Sequence, residues 1–253
     1  MEIGTKQDKI WRSYLVPESK AHGARFSMPM LLQLIKMYSK EGNALLDPMA
    51  GVFSLAVATT LGRDVYGIEL EKRFADIAQL NISYLQSKYN TVNSAVIIQG
   101  DCRKILPLPI HIDCIITSPP YGTSVHPVDK YELKLAEIFG STTQSGYGSH
   151  PNNIGNLSYQ LQRFVLAQVY QKCYEQLKSG GRLIIITKDS VKDGKVQEQG
   201  LATMRSCIEA GFTLEAQHYR PCGITGRQAL HIKHIANYRP ILKEDILVFR
   251  KRE

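Results

Sequence analysis

Short uninterrupted apolar runs alternate along the chain with longer stretches in which apolar residues recur every three or four positions. Ala44-Leu45-Leu46 reads as a buried strand ending at Asp47-Pro48, and Ser54–Leu61 as an apolar helix closed by Gly62. Asp64–Glu69 is a second strand, and Lys72–Leu85 carries helical spacing in Phe74, Ile77, Ala78, Ile82 and Leu85. Ala95–Gln99 and Ile112–Ile116 are the third and fourth strands, the latter running into Thr117-Ser118-Pro119-Pro120-Tyr121. Leu161–Leu177 is helical, and Lys178-Ser179-Gly180-Gly181 reads as a turn into a fifth strand, Arg182–Thr187. Leu201–Ala210 forms another helix, stopped by Gly211, and Thr213–Tyr219 with Asp245–Arg250 close the chain as an antiparallel pair. Strands separated by single helices pair in parallel through right-handed crossovers, so the pattern predicts an α/β fold: a mostly parallel, doubly wound sheet with an antiparallel strand near the C-terminus.

Two intervals break this rhythm. Residues 122–159 are rich in Ser, Gly, Thr, His and Asn, and residues 221–239 are irregular, with Gly223, Gly226 and a basic, His-bearing run. Loops of that length are commonly functional. Both leave near the carboxyl ends of strands, the side on which open α/β sheets bind ligands.

The 253 residues suit one domain, 1–253, with 43% hydrophobic and 21% charged residues available for an ordinary core and surface. No apolar stretch of roughly 18 residues suggests a membrane span, and Met1–Tyr14 lacks the apolar core of a signal peptide. The five cysteines form no Cys-x-x-Cys pair and have no His at ligand spacing, which predicts reduced thiols in the cytoplasm and no metal site. Lys and Arg outnumber Asp and Glu by 31 to 23, for a net charge of +8. Much of the excess lies between His218 and Arg252, which favours a polyanionic partner and equally suits a solvated surface.

The chemistry-bearing residues gather at strand ends. Gly51, in the turn after the first strand, lets backbone approach a ligand. Glu69 ends the second strand, where a carboxylate can accept from ribose hydroxyls, and Asp101 follows the third, suited to an adenine amino group. Each acid alone also suits a helix cap or an exposed turn. Neither G-x-G-x-x-G in the first turn nor a Walker lysine motif is present, which argues against dinucleotides and nucleotide triphosphates. In Ser118-Pro119-Pro120-Tyr121, two prolines stiffen the backbone and withhold N–H groups, leaving a carbonyl as a fixed acceptor. Tyr121 offers a face for stacking a base. Spacing alone leaves open a simple proline-rich turn.

Ser118–Tyr121 resembles the catalytic motif of the DNA amino-methyltransferases. His22–Pro29 resembles that family's N-terminal cofactor motif, and Leu45–Gly51 its Asp-Pro-Phe-x-Gly segment. Leu61–Arg63, Gly67–Leu70 and Ile246–Lys251 follow the pattern as well. The likeness covers about Ala21–Leu85, Asp113–Tyr121 and the sheet-forming tail. It departs where Phe53 replaces the family's second glycine, from which a reshaped pocket is expected, and where Met49 replaces Phe, a volume-conserving change.

The resemblance implies a Rossmann-like fold that uses S-adenosyl-L-methionine to methylate the exocyclic amino group of a flipped base. Ser in the first motif position is associated mainly with cytosine N4, and Asp or Asn with adenine N6. It assigns catalysis to Ser118, Pro119, Pro120 and Tyr121, and cofactor binding to Arg25, Phe26, Ser27, Asp47, Pro48, Met49, Ala50, Gly51, Glu69, Leu70, Asp101, Cys102 and Ser118. Direct transfer needs no cysteine nucleophile. Double-stranded DNA is the expected partner, held by Arg227, His231, Lys233 and His234, with residues 122–159 and 221–239 as recognition insertions. A cognate restriction endonuclease and a homodimer are compatible with this picture. The competing readings are adenine N6 methylation of DNA, an RNA enzyme of the guanine-N2 type, protein glutamine methylation, and a silent DNA-binding module.

Overall fold

The computed structural model describes residues 1–3, 10–22, 25–120, 148, 150–192, 195–224, 232 and 240–252. Seven strands make one sheet: β1 (Ala44–Asp47), β2 (Asp64–Glu69), β3 (Ala95–Gln99), β4 (Ile112–Thr117), β5 (Leu177–Thr187), β8 (Phe212–Pro221) and β9 (Lys243–Lys251). Their spatial order is β3-β2-β1-β4-β5-β9-β8. β1 to β5 pair in parallel, and β9 inserts antiparallel between β5 and β8, with Ile184 facing Val248 in register. The mostly parallel doubly wound sheet with an antiparallel C-terminal strand is thus the observed architecture. A separate hairpin, β6 (Ser190–Lys192) with β7 (Lys195–Gln197), follows β5.

Side-chain alternation explains why the sheet is covered on both faces. Leu45, Cys114, Ile116, Ile184, Ile186, Ile246 and Val248 enter one apolar cluster. Their neighbours Leu46, Ile115, Leu183, Ile185, Leu247 and Phe249 enter the other. The first is capped by α1 (Met28–Tyr38), a 3-10 helix over Ser54–Leu61 and α2 (Lys72–Tyr89). The second is capped by α4 (Tyr159–Gln176) and α5 (Gln199–Glu209), with the one-turn α3 (Cys102–Ile105) beside them.

Several elements differ from the sequence expectation. α1 has no counterpart in the expected pattern, although Pro29 near its start and the spacing of Met30, Leu31, Leu34 and Ile35 are helical signals. The stretch Ser54–Leu61 winds as a 3-10 helix, buried from Ser54 to Thr59. Lys178–Gly181 is no separate turn: β5 begins at Leu177 and absorbs these residues in a register shift against Ile112 and Cys114. Buried Arg63 fastens the end of α1 to the end of the 3-10 helix, donating to the carbonyls of Leu61 and Ser39 and to Ser39 Oγ. Among the described residues no helix is long and apolar enough to cross a membrane.

Phe53 adopts the left-handed conformation (φ 59°), where a side chain costs about 1 kcal/mol or more. Its ring is fully buried and lies over Gly67 of β2: a Cβ built on Gly67 would sit 2.6 Å from the ring and 2.9 Å from Ile97 Cδ1. The ring therefore fills space that Gly67 vacates, facing the core and not the ligand side. Phe53 thereby joins the apolar cluster on that face of the sheet. Gly67→Ala is expected to cost about 1–3 kcal/mol by overpacking, read from urea denaturation, and Phe53→Leu in the same chain should recover part of the loss.

Candidate functional site

Because β1 to β4 are parallel, their carboxyl ends meet at one rim, and the chain places a carboxylate or the Ser-Pro-Pro turn at each. Asp47 ends β1, fully buried. One carboxylate oxygen accepts from Thr117 Oγ1 at 2.7 Å and from the Met49 amide at 3.1 Å. The Thr117 bond joins the ends of β1 and β4 at the point where the strand order reverses. Burial pushes the Asp47 carboxyl up to about 7, against the bonds from Thr117 and Met49 and with some help from Glu69. Its Oδ2 has no partner among the described residues.

The turn after β1 carries Gly51 at φ 54°, where a Cβ would lie 3.1 Å from the His22 ring. The Gly51 amide donates to Glu69 Oε2 and the Glu71 amide to Glu69 Oε1, both at 2.7 Å. These bonds aim the carboxylate and lower its proton affinity, but burial wins and its pKa lies above the usual value. His22, edge-on to Phe74 at 4.5 Å between centroids, is pushed down to about 4 by burial, then by Arg25 and Arg73, so its ring is neutral at pH 7. Buried Asn81 of α2 fastens this region, accepting from the Val16 amide and donating to the Val52 carbonyl and Ser19 Oγ. The Arg25 guanidinium donates to the carbonyls of Ser19 and His22 and lies over the Trp11 ring.

Asp101 caps α3 through the Arg103 amide and takes two bonds from the Arg103 guanidinium, at 2.8 and 2.5 Å. Burial raises its pKa, the Arg103 bonds lower it, and the net result is below the usual carboxylate range. The helix-cap role and the cleft-facing position coexist in this residue.

These groups surround a cleft at the strand-end rim, partly open to solvent. Of the residues expected to bind a cofactor, Arg25 and Phe26 line it, as do Pro48, Met49, Ala50 and Gly51 of the first turn. Glu69, Leu70, Asp101, Cys102 and Ser118 complete that group, and Pro120 joins from the catalytic motif. Two expected residues do not line the cleft. Asp47 lies beneath it as framework, and Ser27 is buried at the N-cap of α1, its hydroxyl without a partner among the described residues. Pro119 is buried. Tyr121, Arg227, His231, Lys233 and His234 lie outside the described residues, as does most of 122–159 and 221–239.

Sequence reasoning did not single out His22, Val52, Ser54, Ile68 and Gly100 as lining residues, although His22 and Ile68 lie within motifs it quoted and the other three lie beside such residues. It also missed Asn152, Asn153 and Ile154, for which no local signal exists. Burial pushes the Cys102 and Cys114 thiols up to about 12, which fits core thiols rather than nucleophiles. Among the described residues no group of His, Cys, Asp and Glu could hold a metal ion.

Comparison with known proteins bears on the same residues. Residues 2–80 match the model of a DNA methylase family. That stretch contains the N-terminal cofactor motif, the first turn and Glu69, so the resemblance to the DNA amino-methyltransferases holds over them. No curated protein sequence matches the chain. TrmN from Thermus thermophilus superposes with a TM-score of 0.54 at 16% identity, covering 93% of this chain and 52% of TrmN, so the chain spans about half of that protein. A methyltransferase from Pyrococcus furiosus gives 0.51 at 14% identity over 90% of this chain and 84% of that one. Magnesium protoporphyrin IX methyltransferase (ChlM) from Synechocystis PCC 6803, determined with bound SAM, gives 0.51 at 12% over 87% and 76%. The fold is therefore the Rossmann-like methyltransferase fold.

Buried Asp47 makes a pH prediction. Its ordinary pKa is 3.8 and its folded value about 7. Between these, the folded chain holds a proton that the unfolded chain releases, so stability falls as pH rises from about 4 to 7. The slope contributed is at most about 1.4 kcal/mol per pH unit. Asp47→Asn should flatten that part of the stability profile, as measured by urea denaturation at a series of pH values; an unchanged slope would assign it to other groups.

Proposed function

We propose that this protein transfers a methyl group from S-adenosyl-L-methionine to an exocyclic amino nitrogen of a base in double-stranded DNA, with cytosine N4 as the acceptor. The observation that carries the reading is one cleft that joins an amide-anchored carboxylate at the end of β2 to the Ser118–Pro120 turn at the end of β4. The DNA methylase match over residues 2–80 supports the same activity.

The residues present fit the cofactor. The Glu69 carboxylate, oriented by two amides, keeps lone pairs for ribose hydroxyls. Asp101, held ionised by Arg103, stands ready as an acceptor at the adenine end. Gly51 leaves the backbone open where any side chain would meet His22. Bound there, the cofactor supplies an electrophilic methyl group on a sulfonium.

The protein's own part is positioning and hydrogen bonding. A nucleobase amino group is a weak nucleophile because its lone pair is delocalised into the ring. The Ser118 side chain and the carbonyls beside the two prolines accept its hydrogens, which favours a pyramidal nitrogen. Tyr121 stacks the flipped base. Arg227, His231, Lys233 and His234 hold phosphates, which makes binding salt-dependent, and residues 122–159 and 221–239 read the target. Cytosine is preferred over adenine because Ser118 stands first in the motif.

Labelled S-adenosyl-L-methionine with mixed-sequence duplex DNA and structured RNA, followed by nucleoside mass spectrometry, tests the reading. N4-methylcytosine supports it, N6-methyladenine overturns the base, and label in RNA alone overturns the substrate. Ser118→Ala should lower kcat on the order of ten- to a hundredfold with cofactor affinity nearly unchanged. Glu69→Ala should do the converse first, weakening cofactor binding roughly tenfold or more in calorimetry.

A further inference from the structure

One wall of the cleft comes from a part of the chain remote from the strand-end motifs. Asn152, Asn153 and Ile154 line it, in a stretch before α4 whose described residues, 150–158, carry only the 3-10 turn Ile154–Asn156 as regular structure. Asn153 and Ile154 are each only 7% exposed. An irregular backbone stretch can serve as a wall only if something fixes it, because an untethered loop spends its time in many conformations.

Two side chains do the fixing. Glu71, at the N-cap of α2, turns its Oε1 to the far side of the cleft and accepts from the His150 amide at 2.8 Å and from Asn153 Nδ2 at 3.0 Å. Arg103, already paired with Asp101, gives a further bond to the Asn152 carbonyl at 3.0 Å. The stretch is also braced from within: Asn153 Oδ1 accepts from the Gly155 amide, and Gln162 Nε2 donates to the Ile154 carbonyl. Each fastener sits two residues beyond an acid assigned above to the cofactor, Glu71 after Glu69 and Arg103 after Asp101. The strand ends thus carry, side by side, the groups that face the nucleoside and the groups that hold a roof over it.

We propose that Glu71 and Arg103 are positioning residues that hold Asn152–Ile154 as the roof of the nucleoside end of the cleft, an inference that rests on the cofactor reading above. Only the fraction of molecules with the roof in place binds fully, so releasing the roof raises the apparent Kd by that fraction. Glu71→Ala removes the acceptor shared by two donors. Glu71→Gln keeps a side-chain carbonyl in the same place and is the rescue. Gly148→Ala reaches the same latch from the other side, since its Cβ would overlap the Glu71 carboxyl group.

S-adenosylhomocysteine is the probe, with calorimetry for affinity and hydrogen–deuterium exchange for the roof. Glu71→Ala and Gly148→Ala are expected to bind roughly tenfold more weakly, with Glu71→Gln within about threefold of the unaltered chain. Exchange across residues 150–156 should slow on binding in the unaltered chain and in Glu71→Gln, and much less in Glu71→Ala. A Glu71→Ala protein that folds and binds as tightly as the unaltered one overturns the latch and leaves the cofactor reading standing. So does exchange at 150–156 in the unaltered chain that ignores the ligand, a result that needs no variant. An unaltered chain that binds no S-adenosylhomocysteine overturns the cofactor reading and the latch with it.

Discussion

The hydrogen bond from Thr117 to buried Asp47 is the constraint on which the site depends. It spans the one place in the sheet where the chain winds in opposite directions on either side, so no crossover helix braces the two strand ends directly. It adds to the ladder below a direct tie between the turn after β1 and the Ser118–Pro120 turn after β4. The same carboxylate oxygen also takes the Met49 amide, so one buried atom sets the start of both turns. The cost is a carboxyl group taken out of water, and the protein meets it by letting the group stay protonated well above the usual range.

A second constraint is spatial. The sheet is apolar on both faces, so each central strand offers little freedom for resizing side chains. Phe53 and Gly67 solve one local case together: a large ring at a position where φ favours glycine, over a glycine in a strand where a larger residue is usual. Either residue considered alone looks unfavourable, and only the pair is consistent.

The parts of this fold that were legible in the sequence are those dictated by short-range pattern. β3 matches its expected range, because an uninterrupted apolar run between turns leaves one reading, and the two C-terminal strands pair antiparallel as anticipated from the lack of a helical pattern between them. The acids at strand ends were legible for a related reason, since parallel strands bring all their carboxyl ends to one rim. Elements without such a pattern escaped: α3 has four residues, and β6 and β7 are three-residue strands of mixed, partly charged composition. Asn152–Ile154 escaped because their place depends on Glu71 and Arg103, which only the completed fold brings near. Asp47 and Ser27 were recognised as important, but their depth below the cleft follows from packing, which a linear motif does not encode.

The insertion of β9 against the direction of its neighbours has a consequence for the geometry of attachment. β8 delivers the chain to the ligand rim at Pro221, and β9 carries it away again, so that Lys251 ends beside the carbonyls of Tyr174 and Leu177, at the opposite end of the sheet. The stretches after β4 and after β8 are therefore anchored at both ends along one rim, and each can change in length without moving a buried strand. Anything joined beyond Arg252 instead starts from the pole of the molecule that faces away from the cleft. The fold divides its surface into an end that can be varied to meet a substrate and an end that can be tethered to something else without crowding it.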